Sequence, residues 1–116
     1  MSGQDKRRSE RVIPFVSDEE VVVIHQDGQA NVLAKMMDLS NVGTLVYLLE
    51  EGDPSGSTVL SVFHQGKVFE VPATVARKTG RLIAFEFVNL SQEATHEIQS
   101  KLIRMEVEWI RVSGKG

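Results

Sequence analysis

The 116-residue sequence contains no cysteine, which excludes a disulfide framework, a thiolate metal site and a cysteine nucleophile. No apolar run approaches the length of a membrane-spanning helix, and no apolar stretch follows the N-terminal charges. We therefore expect neither a membrane span nor a secretory signal, and we predict a cytoplasmic location. With 41% hydrophobic and 25% charged residues, the chain has the composition of one domain that buries its own core.

Aromatic residues are scarce, and positive charges are scarce outside one segment. Aromatics make up 6% of the chain, and no stretch interleaves them with basic residues, so an RNA-binding barrel is disfavoured. Residues 6–11 hold four of the 13 cations, whereas the chain beyond residue 11 has nine cations against 14 carboxylates. A general nucleic-acid binder spreads its charge over a broad basic face. We therefore predict a short basic arm on an acidic domain, with no nucleic-acid polymer as partner.

Residues 12–88 have the pattern of short β-strands separated by turns. The β-branched run 21–24, the apolar segment 45–49 and the alternation over 69–75 each predict a strand. Asp27-Gly28 and Thr79-Gly80 predict turns. Strands at about ten-residue spacing indicate an antiparallel barrel or sandwich.

The periodicity changes after residue 89. Four apolar residues at spacings of four, three and four predict one face of a helix over about residues 91–111, namely Ile98, Leu102, Met105 and Trp109. A second apolar strip lies beside them and needs cover from the sheet or from another subunit. We therefore predict a flexible arm over residues 1–11, a domain over 12–112 with its barrel at about 12–88, and a frayed tail over 113–116.

Two short motifs carry the candidate chemistry. The arm reads Lys6-Arg7-Arg8-Ser9-Glu10-Arg11, and arginine offers a planar fork of donors that matches phosphate oxygens or the O6/N7 edge of guanine. The second motif, over residues 38–43, reads Asp-Leu-Ser-Asn-Val-Gly. A solvated tail and a strand turn would explain the two motifs separately, with Gly43 supplying a conformation that other residues resist.

Taken together, the motifs resemble those of the PilZ domain family. Its signature is an Arg-x-x-x-Arg arm before a β-barrel, followed by Asp/Asn-x-Ser-x-x-Gly on a barrel strand. Arg7 and Arg11 match the first motif, and residues 38–43 match the second. The resemblance covers about residues 6–110. It implies a mainly β fold, a six-stranded antiparallel barrel with a C-terminal α-helix.

The resemblance also implies a function, that of a bacterial receptor for cyclic di-GMP. Such a receptor is not an enzyme and needs no cofactor; it changes the surface shown to an unidentified partner protein in motility, adhesion or biofilm control. We expect a monomer or a weak homodimer through the C-terminal helix. The alternative is a PilZ-like adaptor that binds no nucleotide and acts through protein contacts, as in type IV pilus assembly.

The family motifs assign roles to eight residues. Arg7 and Arg11 would grip phosphates and guanine edges, and Asp38 and Ser40 would meet a guanine from the barrel surface. Gly43 would let the backbone turn without blocking the base. Three further candidates are Arg8 as a phosphate contact, Asn41 at a variable motif position, and Lys6, whose position governs ligand stoichiometry and leaves it open here.

The sequence departs from the family pattern at two places. Ala84 stands where the family often has a glycine before its last Val-x-Phe, which we expect to affect strand packing or base approach. The loop at residues 50–53 is acidic and would repel a dianion if it lay near the site.

Overall fold

A computed structural model describes residues 18–113, with side-chain environments for residues 19–105. The predicted arm and the side chains of the last helical residues therefore lie outside the described part of the chain. The candidate residues outside it are Lys6, Arg7, Arg8 and Arg11.

Six strands and one helix make up the described chain. After a 3-10 turn at Asp18–Glu20, the elements are β1 (Val21–His25), β2 (Val32–Leu39), β3 (Gly43–Leu48), β4 (Ser57–His64), β5 (Lys67–Thr79), β6 (Leu82–Phe87) and α1 (Gln92–Ser113). All neighbouring strands are antiparallel, and they close into a barrel in the order β1-β2-β3-β6-β5-β4. The predicted barrel with its C-terminal helix is thus confirmed.

The core fills the barrel with alternate residues of each strand. β-Branched and other apolar side chains point inward and are almost fully buried, among them Val22, Ala34, Val46, Leu60, Val71 and Ile83. Helix α1 covers this core with Ile98, and Leu102 and Met105 pack beside it. No helix in the described range combines the length and apolar character needed to cross a bilayer.

Antiparallel pairing sorts the connections to two ends of the barrel. The end of β2, the start of β3 and the start of β1 lie at one end, together with the β4–β5 turn. We call this the motif end, because residues 38–43 and the 3-10 turn lie there. The loops over residues 26–31 and 49–56 lie at the far end.

A buried lysine joins the 3-10 turn, the barrel and the helix at the motif end. Lys101 of α1 is 1% exposed, and its Nζ donates to the Phe63 carbonyl oxygen at 2.7 Å and to the Glu19 carbonyl oxygen. The same Nζ lies 3.2 Å from Glu19 Oε1. A buried ammonium is costly unless it is paired and hydrogen-bonded, so these partners fix the position of all three elements. We call this group the Lys101 clamp.

Glu19 of the 3-10 turn extends the Lys101 clamp to two further residues, Gln65 and His64. Its Oε2 accepts from the Gln65 N–H at 2.6 Å, and its Oε1 lies 3.3 Å from Nδ1 of the buried His64. His64 Nε2 in turn meets Ser100 Oγ at 3.0 Å. Partial burial raises the pKa of Glu19, but the Gln65 hydrogen bond and the Lys101 ammonium outweigh it and hold the pKa below its ordinary value.

Replacing Lys101 by methionine should destabilise the fold by about 3 kcal/mol, because two backbone carbonyls lose their buried donor while the side-chain volume is kept. Urea unfolding followed by circular dichroism measures the change. Arg104→Met is the matched control, since Arg104 is exposed on the same helix and should change stability by less than about 0.5 kcal/mol. Equal effects of the two substitutions would contradict the clamp.

The lowered pKa of Glu19 also predicts a pH dependence. A carboxyl whose folded pKa is depressed stabilises the fold above its unfolded pKa, and this contribution is lost as pH falls through the folded value. The stability advantage of the wild type over Glu19→Gln should therefore be full at pH 7 and should shrink as the pH falls through the unfolded and then the lowered folded pKa of Glu19. Urea midpoints between pH 7 and pH 3 measure it, with Glu51→Gln in the exposed loop as control. An advantage that stays constant with pH would contradict the prediction.

Candidate functional site

Residues 38–43 connect β2 to β3 in a turn that Ser40 holds together. Ser40 Oγ accepts from the N–H of Val42 at 3.2 Å and of Gly43 at 3.1 Å, and it donates to the Gly43 carbonyl oxygen at 3.2 Å. The Ser40 N–H donates to the same carbonyl oxygen at 2.9 Å. Ser40 therefore shapes the turn itself, while Asn41 at its tip is exposed.

A β-bulge directs Asp38 outward. Strict alternation from Val32 through Ala34 and Met36 would place Asp38 in the core. The register instead passes from Met36 opposite Val46 to Asp38 opposite Leu45, which leaves Met37 as the extra residue. Asp38 is exposed as a result, and Leu39 returns to the interior.

The Asp38 carboxylate is only partly used within the fold. Its Oδ1 accepts from the Leu39 N–H at 2.9 Å, and its second oxygen has no hydrogen bond to any residue of the described range. Thr44, which no motif or spacing singled out, is buried and donates to the Asp38 carbonyl oxygen at 2.6 Å. Backbone and bulge thus hold this carboxylate on the outer surface.

Gly43 is required for a reason other than the one expected. We expected it to supply a backbone conformation that other residues resist, but its φ is not among the positive values found at Gly28, Gly56, Gly66 and Gly80. A Cβ on Gly43 would instead lie 2.2 Å from the Phe85 carbonyl oxygen of β6. The absent side chain lets β3 and β6 approach closely beside the turn.

The described chain begins at the same end of the barrel as this turn. The 3-10 turn at Asp18–Glu20 packs against β2 and β4 and is held by the Lys101 clamp. Seven peptide steps separate Arg11 from Asp18, so the chain allows the arm at most about 25 Å of reach from that anchor. Residues 38–43 lie at the same end of the barrel as Asp18.

Both motifs, the barrel and most of α1 lie within the part of the chain that matches a family model. The model is that of the PilZ domain, and it matches residues 5–104. The chain belongs to the PilZ domain family. PilZ domains are in general receptors for cyclic di-GMP.

Two solved structures have a fold similar to that of this chain. The PilZ domain of CeSA from a cellulose-synthesizing bacterium is 19% identical with a TM-score of 0.62, over 74% of this chain and 91% of that one. An uncharacterized Legionella protein is 18% identical with a TM-score of 0.55, over 81% and 94%. No curated protein matches the chain. At these identities the likeness concerns the fold.

The two departures from the PilZ pattern take definite places in the structure. The acidic loop lies at the far end, where Asp53 pairs with Lys78 at 2.6 Å and Glu50 Oε1 accepts from the Leu33 N–H at 2.9 Å. It therefore lies about five residues of strand, or roughly 17 Å, from the turn at residues 38–43. Ala84 lies in β6 opposite Leu45, on the outer face next to the motif.

The three histidines do not converge. His25 bonds to Asn31 and Ser61 near the far end, His64 belongs to the Lys101 clamp, and His96 is exposed on α1. Within residues 18–113 no three histidine, cysteine or carboxylate side chains form a group suited to a metal ion.

The close approach at Gly43 predicts the effect of adding one methyl group there. Gly43→Ala should destabilise the domain by about 1–3 kcal/mol, because the obstacle is a backbone carbonyl that cannot rotate away. Gly28→Asn is the control, since nothing lies within 4 Å of a Cβ there and asparagine tolerates its φ of 76°. Urea unfolding should show a clear loss for the first variant and less than about 1 kcal/mol for the second.

Proposed function

We propose that this PilZ domain is a receptor that binds cyclic di-GMP between its arginine arm and the outer face of the barrel at the motif end. The observation that supports the proposal is the outward Asp38 carboxylate, held by a bulge at the barrel end where the described chain begins. In the proposed complex, the two motifs, which are far apart in sequence, bind one ligand together.

The chemistry of guanine supports these roles. Its Watson–Crick edge carries paired N–H donors that a carboxylate such as Asp38 can accept, and its O6/N7 edge carries paired acceptors that an arginine fork can meet. The two phosphates of the dinucleotide suit the remaining arm cations, including Arg8 and Lys6. Ser40 supports this arrangement by holding the turn after Asp38, and the exposed Asn41 at its tip is a candidate for an additional contact.

The energetics require several contacts from the arm. Ordering each arm residue costs about 1–2 kcal/mol, so fixing residues 6–11 costs roughly 6–12 kcal/mol. A hydrogen bond to a charged group returns about 1.5–3 kcal/mol. Micromolar binding needs a net of about −8 kcal/mol, so the arm must engage through more than one bidentate arginine. Affinity should therefore depend steeply on each of them.

The output of such a receptor is a change of surface. Closure of the arm over the barrel face would alter the surface beside the Lys101 clamp, where the 3-10 turn meets α1. A downstream protein that reads this surface would receive the signal, and motility, adhesion and biofilm formation are the processes that PilZ proteins serve.

Calorimetry tests the proposal directly. The wild type should bind cyclic di-GMP saturably, and it should not bind GTP or a short RNA under the same conditions. Arg7→Ala, Arg11→Ala and Asp38→Ala should each weaken binding by about ten- to a hundredfold, through the loss of charge-assisted hydrogen bonds. Arg104→Ala, an exposed cation on α1, should leave the affinity unchanged.

Two outcomes would count against the proposal. Unchanged affinity in both Arg7→Ala and Arg11→Ala would exclude binding of the ligand between arm and barrel. Absence of any binding by the wild type would favour the adaptor, which works through protein contacts alone.

A further inference from the structure

Two β-bulges each place a charged residue on the outer face of the barrel, where strict alternation would have placed it in the core. The first, at Met37 in β2, directs Asp38 outward. The second lies in β5, where the register passes from Val75 opposite Phe85 to Arg77 opposite Ala84, so Ala76 is the extra residue. Without it, alternation from Val71 through Ala73 and Val75 would place Arg77 in the core. Bulges are enriched beside binding sites for this reason.

Both of these charged residues lie in one row across the barrel. Asp38 of β2 stands opposite Leu45 of β3, Leu45 opposite Ala84 of β6, and Ala84 opposite Arg77 of β5. Three strand spacings separate the ends of the row, or roughly 14 Å of backbone. The row therefore has a carboxylate at one end and a guanidinium at the other. Between them the surface consists of the half-buried Leu45 and Ala84.

Arg77 differs from its two cationic neighbours in having no engagement within the fold. Lys78 pairs with Asp53 at 2.6 Å, and Arg81 donates from Nε to the Leu48 carbonyl oxygen at 2.9 Å beside the Tyr47 ring. Arg77 is exposed and makes no hydrogen bond or ion pair with another residue of the described range. Its fork of donors is thus available to a ligand on this face.

The surroundings indicate how a ligand would lie along the row. The adjoining row toward the motif end contains Glu86, between Gly43 and Thr74, and its carboxylate disfavours a phosphate directly above it. A flat base can lie on Leu45 and Ala84, because neither raises a polar group from this surface. Anionic groups belong over Arg77 or under the arm.

We propose that Arg77 is a further binding residue, at the end of the row away from Asp38. It contacts the phosphate or the O6/N7 guanine edge of a dinucleotide that lies along this row. The proposal rests on the proposed function and deepens it, since it names the residue that would bind the end of the dinucleotide away from Asp38. It also gives Ala84 a role, as the small residue over which the ligand passes to reach Arg77.

The test is calorimetry with cyclic di-GMP on the full chain and four variants. Arg77→Ala should weaken binding about ten- to a hundredfold, and Arg77→Lys should recover part of the loss because it keeps the charge but not the fork. Lys78→Ala, which removes a neighbouring cation engaged by Asp53, should bind like the wild type. Urea midpoints of Arg77→Ala and the wild type should agree, since Arg77 is exposed. Arg11→Ala serves as the reference for loss of the arm.

The outcomes separate this inference from the function it rests on. If Arg11→Ala loses affinity while Arg77→Ala binds like Lys78→Ala, Arg77 is only a solvated cation and the inference is overturned, whereas the receptor function stands. If the wild type does not bind the dinucleotide, both are overturned. Loss of affinity in Arg77→Ala with unchanged stability and partial recovery in Arg77→Lys supports the inference.

Discussion

The structure depends most on one buried ammonium. Lys101 extends from the covering helix to two backbone carbonyls, one in β4 and one in the 3-10 turn before β1, and to the Glu19 carboxylate. An apolar contact tolerates small shifts of the elements it joins. A buried charge does not, because it destabilises the fold as soon as its acceptors move out of hydrogen-bond distance. The clamp therefore fixes the 3-10 turn, where the described chain begins, relative to the helix and to the barrel.

The sequence predicted the barrel and the helix because both follow from periodicities that a single strand or helix carries in itself. The bulges at Met37 and Ala76 were not predictable in the same way. A bulge is a mismatch in the pairing of two strands, so the sequence of one strand does not determine it. The alternation of apolar residues over 30–37 is loose, which is consistent with the bulge at Met37. The Lys101 clamp had a readable signal, since a lysine three residues after Ile98 falls on the apolar helix face. Its partners became evident only once the barrel had closed.

The residues of the candidate site come from a resemblance, and the geometry of residues 38–43 comes from the structure. These residues form a turn that satisfies its own backbone, so the structural explanation of the motif holds, and the functional one stays a prediction. Ser40 closes the turn with its hydroxyl, and Gly43 admits the Phe85 carbonyl oxygen through the space of a missing side chain. Asp38 is the member with a carboxylate oxygen to spare in the described fold. The motif is thus a rigid support for one acceptor.

The distribution of charge explains how such a site could prefer a small dianion to a polyanion. Beyond residue 11 the chain has five more carboxylates than cations, so a long nucleic acid attracted by the arm would meet a net repulsive domain. A dinucleotide bound as proposed would occupy one row of the outer face, between Asp38 and Arg77, and would not extend over the rest of the acidic domain. Selectivity would then arise from the confinement of positive charge as much as from the contacts themselves. A broader basic surface would bind more tightly in general and discriminate less.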